Sequence, residues 1–370
     1  MARLQGRGVE IESLADFDAL VERGGRAMAG WRVQAVDLRG RTSVLLSLDP
    51  SGALLLGCAL DPIAEQHLRA GGALVFPAIP DTPFDTYRAT LYSADELYAG
   101  LSDATYPATP DARIYAWSRQ PGADLDVGWT LARALHDHAI DDALGEALTG
   151  RNAVGVMGGH AWSRGDHAYA EAARLGRLLA RSGLYVATGG GPGAMEAANL
   201  GAYLSTAADD ALGHALGMLA GVPSFQPSVT EWARAAFAVR SRWPEGADSI
   251  GIPTWFYGHE PPNAFASSIA KYFQNALRED TLLRYCDAGI VFLPGAAGTV
   301  QEIFQDACEN YYADAAAVAP MVLVGREHWT DVVPAWPLLS GLARGRAMQA
   351  AVHLVDSVDE VAALLADGSR

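Results

Sequence analysis

Apolar and polar positions alternate on two different rhythms along this chain. From Asn152 onward, short wholly apolar runs are separated by longer stretches whose apolar residues recur at helical spacing. Ala153–Met157, Leu184–Thr188, Gly289–Leu293 and Pro320–Val324 each read as a buried strand, and Ile250–Tyr257 as a fifth. The first of these ends in Gly158-Gly159. A helix is predicted from about Asp166, with Leu175, Leu178 and Leu179 on its apolar side and Gly183 stopping it. Further helices are predicted over Ala194–Leu204, Asn263–Glu279 and Val300–Tyr311, while residues 208–246 read as an irregular helical insertion. Alternation of this kind implies an α/β fold, a Rossmann-like doubly wound parallel sheet with helices on both faces. Its ligands are expected outside the carboxyl ends of the strands.

The upstream part follows a looser pattern. Arg32–Val36, Ser43–Leu48, Ala53–Leu60 and Gly72–Phe76 are strand-like, a Pro-rich stretch follows at 78–83, and Pro107, Pro110 and residues 119–124 read as linker or loop. Residues 1–125 are expected to form a smaller α+β N-terminal domain, without a recognisable repeat. Residues 126–370 are expected to form the nucleotide-binding domain, with its core at 152–324. A helix is predicted over Trp129–Leu148, with Leu131, Leu135, Ile140 and Leu144 inward. On it, His136-Asp137-His138 with Asp141 and Asp142 reads as a solvated face, because adjacent helical residues point apart.

Composition narrows the function. Of 370 residues half are hydrophobic, and the formal net charge is −16. Such a charge argues against binding a nucleic acid polymer or an anionic membrane. A small anion would need a local positive field from helix N-termini, backbone N–H groups and a few arginines. Cys58, Cys286 and Cys308 have no metal-ligand spacing and suit a reducing compartment. Neither a membrane-length apolar run nor a secretory signal is read, so a cytoplasmic protein without metal or cofactor is expected.

Two glycine loops carry the candidate chemistry. Gly189-Gly190-Gly191-Pro192-Gly193-Ala194-Met195-Glu196 runs from a strand into a helix, where glycines admit close approach of a phosphate to the helix N-terminus. It also matches a dinucleotide fingerprint. The acidic strand end which that motif requires is missing, since Ser205–Ala208 before Asp209 and Asp210 is not hydrophobic. Leu293-Pro294-Gly295-Ala296-Ala297-Gly298-Thr299-Val300-Gln301-Glu302 repeats the arrangement. By spacing, Thr299-x-x-Glu302 is also a capping box, and that reading stands slightly ahead of a catalytic one. On the predicted helix between the loops, Ser267, Lys271, Asn275 and Arg278 form a polar stripe, ordinarily a solvated face.

The segments Thr188–Asn199 and Pro294–Glu302 resemble the two signature loops of the Lonely Guy (lysine-decarboxylase-like) family, over about 152–324. Ile252–Asn263, Lys271-Tyr-Phe and Arg278-Glu-Asp look closer to the longer bacterial nucleotide 5′-monophosphate nucleosidases than to the short cytokinin-activating enzymes. The resemblance implies hydrolysis of a nucleoside 5′-monophosphate to free base and ribose 5-phosphate by a homo-oligomer, a dimer or tetramer. It implies catalytic roles for Glu302 and Arg278, which lifts Glu302 above the capping reading. Gly189, Gly190, Gly191, Gly193, Gly295, Ala296, Ala297, Gly298 and Thr299 are the implied phosphate-binding positions, with Gly158, Glu196, His259 and Asn263 beside them. Trp255, Phe256 and Tyr257 are candidates to stack on a base. The chain departs from the short enzymes at Glu279 and Ala296, so a cytokinin riboside 5′-monophosphate is one candidate substrate and not the default one. The family's decarboxylase label would need a Schiff-base lysine. Lys271 is the sole lysine, and no cofactor signature surrounds it. A non-catalytic nucleotide sensor on the same fold is the alternative.

Overall fold

The structure is a computed structural model that describes residues 3–5, 8–122, 126–256 and 260–367. The chain divides into two compact units, Met1–Thr90 with Arg119–Ala143, and Leu91–Ser118 with Leu144–Arg370.

The first unit is built on a five-stranded sheet in sequential order: β1 (Arg3–Gln5), β2 (Gly8–Ile11), β3 (Trp31–Gln34), β4 (Leu54–Leu56) and β5 (Leu74–Phe76). Only the β1–β2 pair is antiparallel. Each later pairing advances 20–22 residues along the chain, matching Val9 to Trp31, Arg32 to Leu54 and Leu54 to Leu74. Gly30, Gly52 and Gly72, each just before or near a strand start, all take positive φ (77°, 76° and 92°). A structural repeat is therefore present where none was recognised in the sequence. It was hidden because the repeated elements share backbone conformation and one inward apolar residue in register, Ile11, Val33, Leu55 and Val75, not residue identities. Ser43–Leu48, expected as a strand, instead contains the short helix Thr42–Leu45. Leu45 and Leu48 reach the core through that turn, beside Leu38, Leu55 and Leu68. His136 and Asp137, expected on a solvated face, are buried while Leu131 is exposed. The buried residues of the helix Val127–Leu148 include Ala132, His136, Ala139, Ile140, Ala143 and Leu144, and His136, with alanines flanking it on that face, meets the Phe84 ring edge-on at 5.0 Å.

The second unit contains a wholly parallel seven-stranded sheet. In chain order its strands are β6 (Ala153–Met157), β7 (Tyr185–Thr188), β8 (Ile250–Gly251), β9 (Ser268–Ile269), β10 (Ile290–Phe292), β11 (Met321–Val324) and β12 (Val352–Val355). In space the order is β12-β11-β10-β6-β7-β8-β9. The chain winds outward from β6 through β9, then returns to β10 on the other side of β6. The switch point lies between β6 and β10, where a crevice at the strand ends is expected. The helices His167–Arg181 and Ala194–Tyr203 cross backbone to backbone at Gly176 and Gly201. The insertion is helical as expected, Ala211–Ala220 and Val229–Arg242.

Two expectations fail beside β8. The strand expected over Ile250–Tyr257 stops at Gly251, because Pro253 supplies no N–H for a ladder. The helix expected over Asn263–Glu279 covers only Asn275–Arg284. Asn263 closes a local turn by accepting from the N–H groups of Phe265 and Ala266, and this competes with a helix start. Ser268–Ile269 then pairs with β8 as β9. The polar stripe dissolves accordingly: Lys271 lies off the helix, buried, donating to Asp111 at 2.7 Å. Burial lowers the Lys271 ammonium's pKa, and Asp111 opposes that shift.

Candidate functional site

Both glycine loops leave the carboxyl ends of neighbouring parts of the sheet, the first after β7 and the second after β10. The first is braced from below. Thr188 donates its hydroxyl to Asn199 at 2.7 Å and accepts from the Gly190 N–H at 3.0 Å. Asn263 donates its side-chain amide to the Gly191 carbonyl at 3.2 Å and to Asn199 at 3.0 Å, and its backbone N–H meets the Gly190 carbonyl at 2.8 Å. Asn263 thus shapes the loop from behind. Gly190 and Gly193, both at φ 71°, turn the chain into the following helix. The N–H of Ala194 is taken by the Gly159 carbonyl at 3.1 Å. Gly158 is pressed between Ala194 and Leu293, where a Cβ would stand 2.9 and 3.0 Å from their Cβ atoms.

The second loop is open. Its helix runs from Ala297 to Tyr312, three residues ahead of the expected start, and Ala296 is the N-cap without a side-chain cap. Ala296, Ala297 and Gly298 are exposed, so the first N–H groups of a 16-residue helix face solvent. This start removes the capping box. Thr299 is inside the first turn, its hydroxyl against Gly295, and Glu302 is one turn too deep to reach a cap N–H.

Glu302 instead meets Arg278. The guanidinium donates Nη1 to Glu302 Oε1 at 3.1 Å, Nε to the Ile252 carbonyl at 2.7 Å and Nη2 to the Gly189 carbonyl at 3.4 Å. Gly189 lets the guanidinium lie close above the loop, since a Cβ there would stand 2.2 Å from Nη2 and push Arg278 aside. Burial raises the Glu302 pKa, and the Arg278 charge and hydrogen bond oppose the rise. Next to Arg278, Glu279 accepts from Asn275 at 2.7 Å and from the Gln301 amide, tying the helix Asn275–Arg284 to the second loop's helix.

A cleft of about 50 Å³ opens over the first loop, lined by Gly189, Gly191, Met195, Glu260, Asn275 and Arg278 among others. Glu260 and Met195 were not anticipated as cleft residues. Sequence offered no signal for Glu260 beyond its nearness to His259, which itself lies outside the described residues, as does Tyr257. Glu196 is one residue past Met195 and points elsewhere. Its carboxylate is held by Arg164 through Nε at 3.0 Å and Nη2, both side chains being buried, with Arg164 stacked 4.6 Å from the Trp232 ring. Trp255 is buried and donates to Asp111 at 2.8 Å, which makes it part of the core, while Phe256 is exposed. Asp209 and Asp210 sit in the turn before the helix Ala211–Ala220, not at a strand end.

Among the described residues, no group of three or more His, Cys, Asp and Glu side chains is placed to hold a metal ion. No described helix is long and apolar enough to cross a membrane.

Residues 151–227, which contain the first glycine loop, match the SLOG cluster4 family. A search of curated proteins gives no match. Among solved structures, the chain is similar to the molybdenum cofactor binding protein of the phototrophic bacterium Rippkaea orientalis. That match has 16% identity and a TM-score of 0.38, covering 60% of this chain and 98% of that one. The Moco carrier protein of Chlamydomonas reinhardtii is similar at 17% identity and a TM-score of 0.35, covering 59% of this chain and 98% of that one.

Proposed function

We propose that this chain hydrolyses the N-glycosidic bond of a nucleoside 5′-monophosphate, releasing the base and ribose 5-phosphate. One observation carries the reading. Arg278 and Glu302, the two residues to which the Lonely Guy resemblance gives catalytic roles, meet at 3.1 Å beside the first glycine loop. They come from different helices and are brought together only by the fold.

Cleavage of this bond builds positive charge on the ribose. A buried carboxylate near the anomeric carbon stabilises that charge and takes a proton from the attacking water. As the water oxygen bonds to C1′, the C1′–N bond breaks and its electron pair leaves with the base, which is then protonated. Glu302 is the base in this scheme. The N–H groups at the exposed residues Ala297 and Gly298 would supply a phosphate site, and Arg278, at the first loop, would supply positive charge. The cleft is far smaller than the roughly 300 Å³ of an ordinary small-molecule site. Nucleotide entry therefore requires Arg278 or the Glu260 side of the cleft to move.

The same closed arrangement favours a second reading, a nucleotide sensor in which the Arg278–Glu302 ion pair keeps the carboxylate occupied. Incubation with a panel of nucleoside 5′-monophosphates, followed by chromatography for free base, separates the two. Base release that Glu302→Gln reduces by about 100-fold or more, with nucleotide binding retained, is the expected result. Binding without release selects the sensor.

A further inference from the structure

We propose that Glu260 reads the sugar of the bound nucleotide, accepting hydrogen bonds from the ribose 2′- and 3′-hydroxyls. This deepens the nucleotide reading above and rests on it. Two opposite charges stand over the floor of one cleft. Arg278 Nη2 lies 2.2 Å from where a Cβ on Gly189 would be, and Glu260 Oε2 lies 3.5 Å from where a Cβ on Gly191 would be. The two glycines are separated by one residue, so the loop presents a guanidinium on one side and a carboxylate on the other.

The carboxylate cannot serve the phosphate, because an ionised carboxylate accepts hydrogen bonds only and repels an anion. Its natural partner is a pair of adjacent donors, and the vicinal hydroxyls of ribose match its two oxygens. The sugar is also the part of a nucleotide that joins the phosphate to the anomeric carbon, so it must lie near both Arg278 and Glu302. Glu260 is held without being sealed in. Its Oε1 is 3.7 Å from Nδ1 of His160, on the loop after β6, and its side chain is 36% exposed. An exposed carboxylate next to an imidazole stays hydrated until a ligand replaces the water. Discrimination then follows from the loss of one hydrogen bond to a charged acceptor when the 2′-hydroxyl is missing.

The test measures kcat/KM and Kd for ribonucleoside 5′-monophosphates and their 2′-deoxy counterparts, with the full chain, Glu260→Gln and His160→Ala. The full chain should prefer the ribo form. Glu260→Gln should lower kcat/KM for the ribo substrates by roughly 10- to 100-fold and for the 2′-deoxy substrates, which keep only the 3′-hydroxyl contact, by a clearly smaller factor. His160→Ala should weaken the preference in the same direction and by less. Equal losses on both sugars, or an unchanged ribose preference, overturn the role of Glu260 while leaving the nucleosidase reading standing. If nucleotides bind but no base is released, the nucleosidase reading fails, and the same comparison made on Kd decides Glu260. A ribo/deoxy ratio that collapses in Glu260→Gln supports the proposal, and one that persists overturns it.

Discussion

Asp306 lies one helical turn beyond Glu302 and is 4% exposed. Its Oδ1 accepts a long hydrogen bond from Asn310 at 3.4 Å, and its Oδ2 has no hydrogen-bond partner. Burial first, and the charge of Glu309 second, push its pKa from 3.8 up to about 8. The folded chain therefore holds a proton that the unfolded chain has already released across that whole window. Between the two values the unfolded state binds fewer protons, so unfolding free energy falls as pH rises. The slope for one proton is about 1.4 kcal/mol per pH unit, and the full penalty above the upper value is on the order of 5 kcal/mol. Asp306→Asn keeps the shape and removes the titration. Urea unfolding from about pH 5 to about pH 8 should show the wild-type chain losing stability relative to the variant, with the gap widening at each step. Parallel stability–pH curves for the two chains would refute the reasoning, because they would mean that Asp306 is ionised and satisfied in the folded state.

Arg278→Ala removes the charge and hydrogen bond that oppose the burial of Glu302. The Glu302 pKa should then rise further, and the acid limb of the pH–kcat profile should move to higher pH in whatever activity remains. An unmoved limb means that Glu302 is not the titrating base. Glu196→Ala leaves the Arg164 guanidinium buried and unpaired. It should cost about 3–5 kcal/mol in denaturant unfolding, and a loss below about 1 kcal/mol would contradict the ion pair. In Gly201→Ala the new methyl would stand 1.8 Å from the Ala173 carbonyl oxygen. The helices must separate, at a cost of about 3 kcal/mol. Gly213→Ala, on an exposed helical position with nothing within 4 Å, should stabilise by up to about 1 kcal/mol. Thermal melts of the pair read both signs.

The alternation after Asn152 made the parallel sheet legible, because buried strands are apolar on both faces and the helices between them are not. The glycine loops were legible for the same reason, as interruptions at strand ends. What sequence could not supply was partnership. Thr299 and Glu302 have the spacing of a capping box, yet the helix begins at Ala297, and a buried arginine from another helix claims the carboxylate. Glu196 stands inside a signature loop, yet Arg164, 32 residues upstream, draws it away from the cleft. The run around Ser267 and Lys271 has helical periodicity that loses to the Asn263 turn and to pairing with β8. His136 was misplaced because a face of alanines leaves room for a polar side chain that hydropathy alone puts outside. In most of these cases a contact distant in sequence overrode a local preference.

The bracing of the first glycine loop has a mechanical consequence. Thr188, Asn199 and Asn263 lock its carbonyls and N–H groups into one hydrogen-bonded piece with β7 and β8, whereas Arg278 and Glu260 reach the cleft through side chains. The site is thus a clamp with one fixed jaw and one adjustable jaw. On the proposed reading, ligand shape would be accommodated by rotating these two side chains rather than by bending backbone. Changes at Arg278 and Glu260 should therefore alter which molecule is held, while changes at Asn263 or Thr188 should decide whether any molecule is held at all.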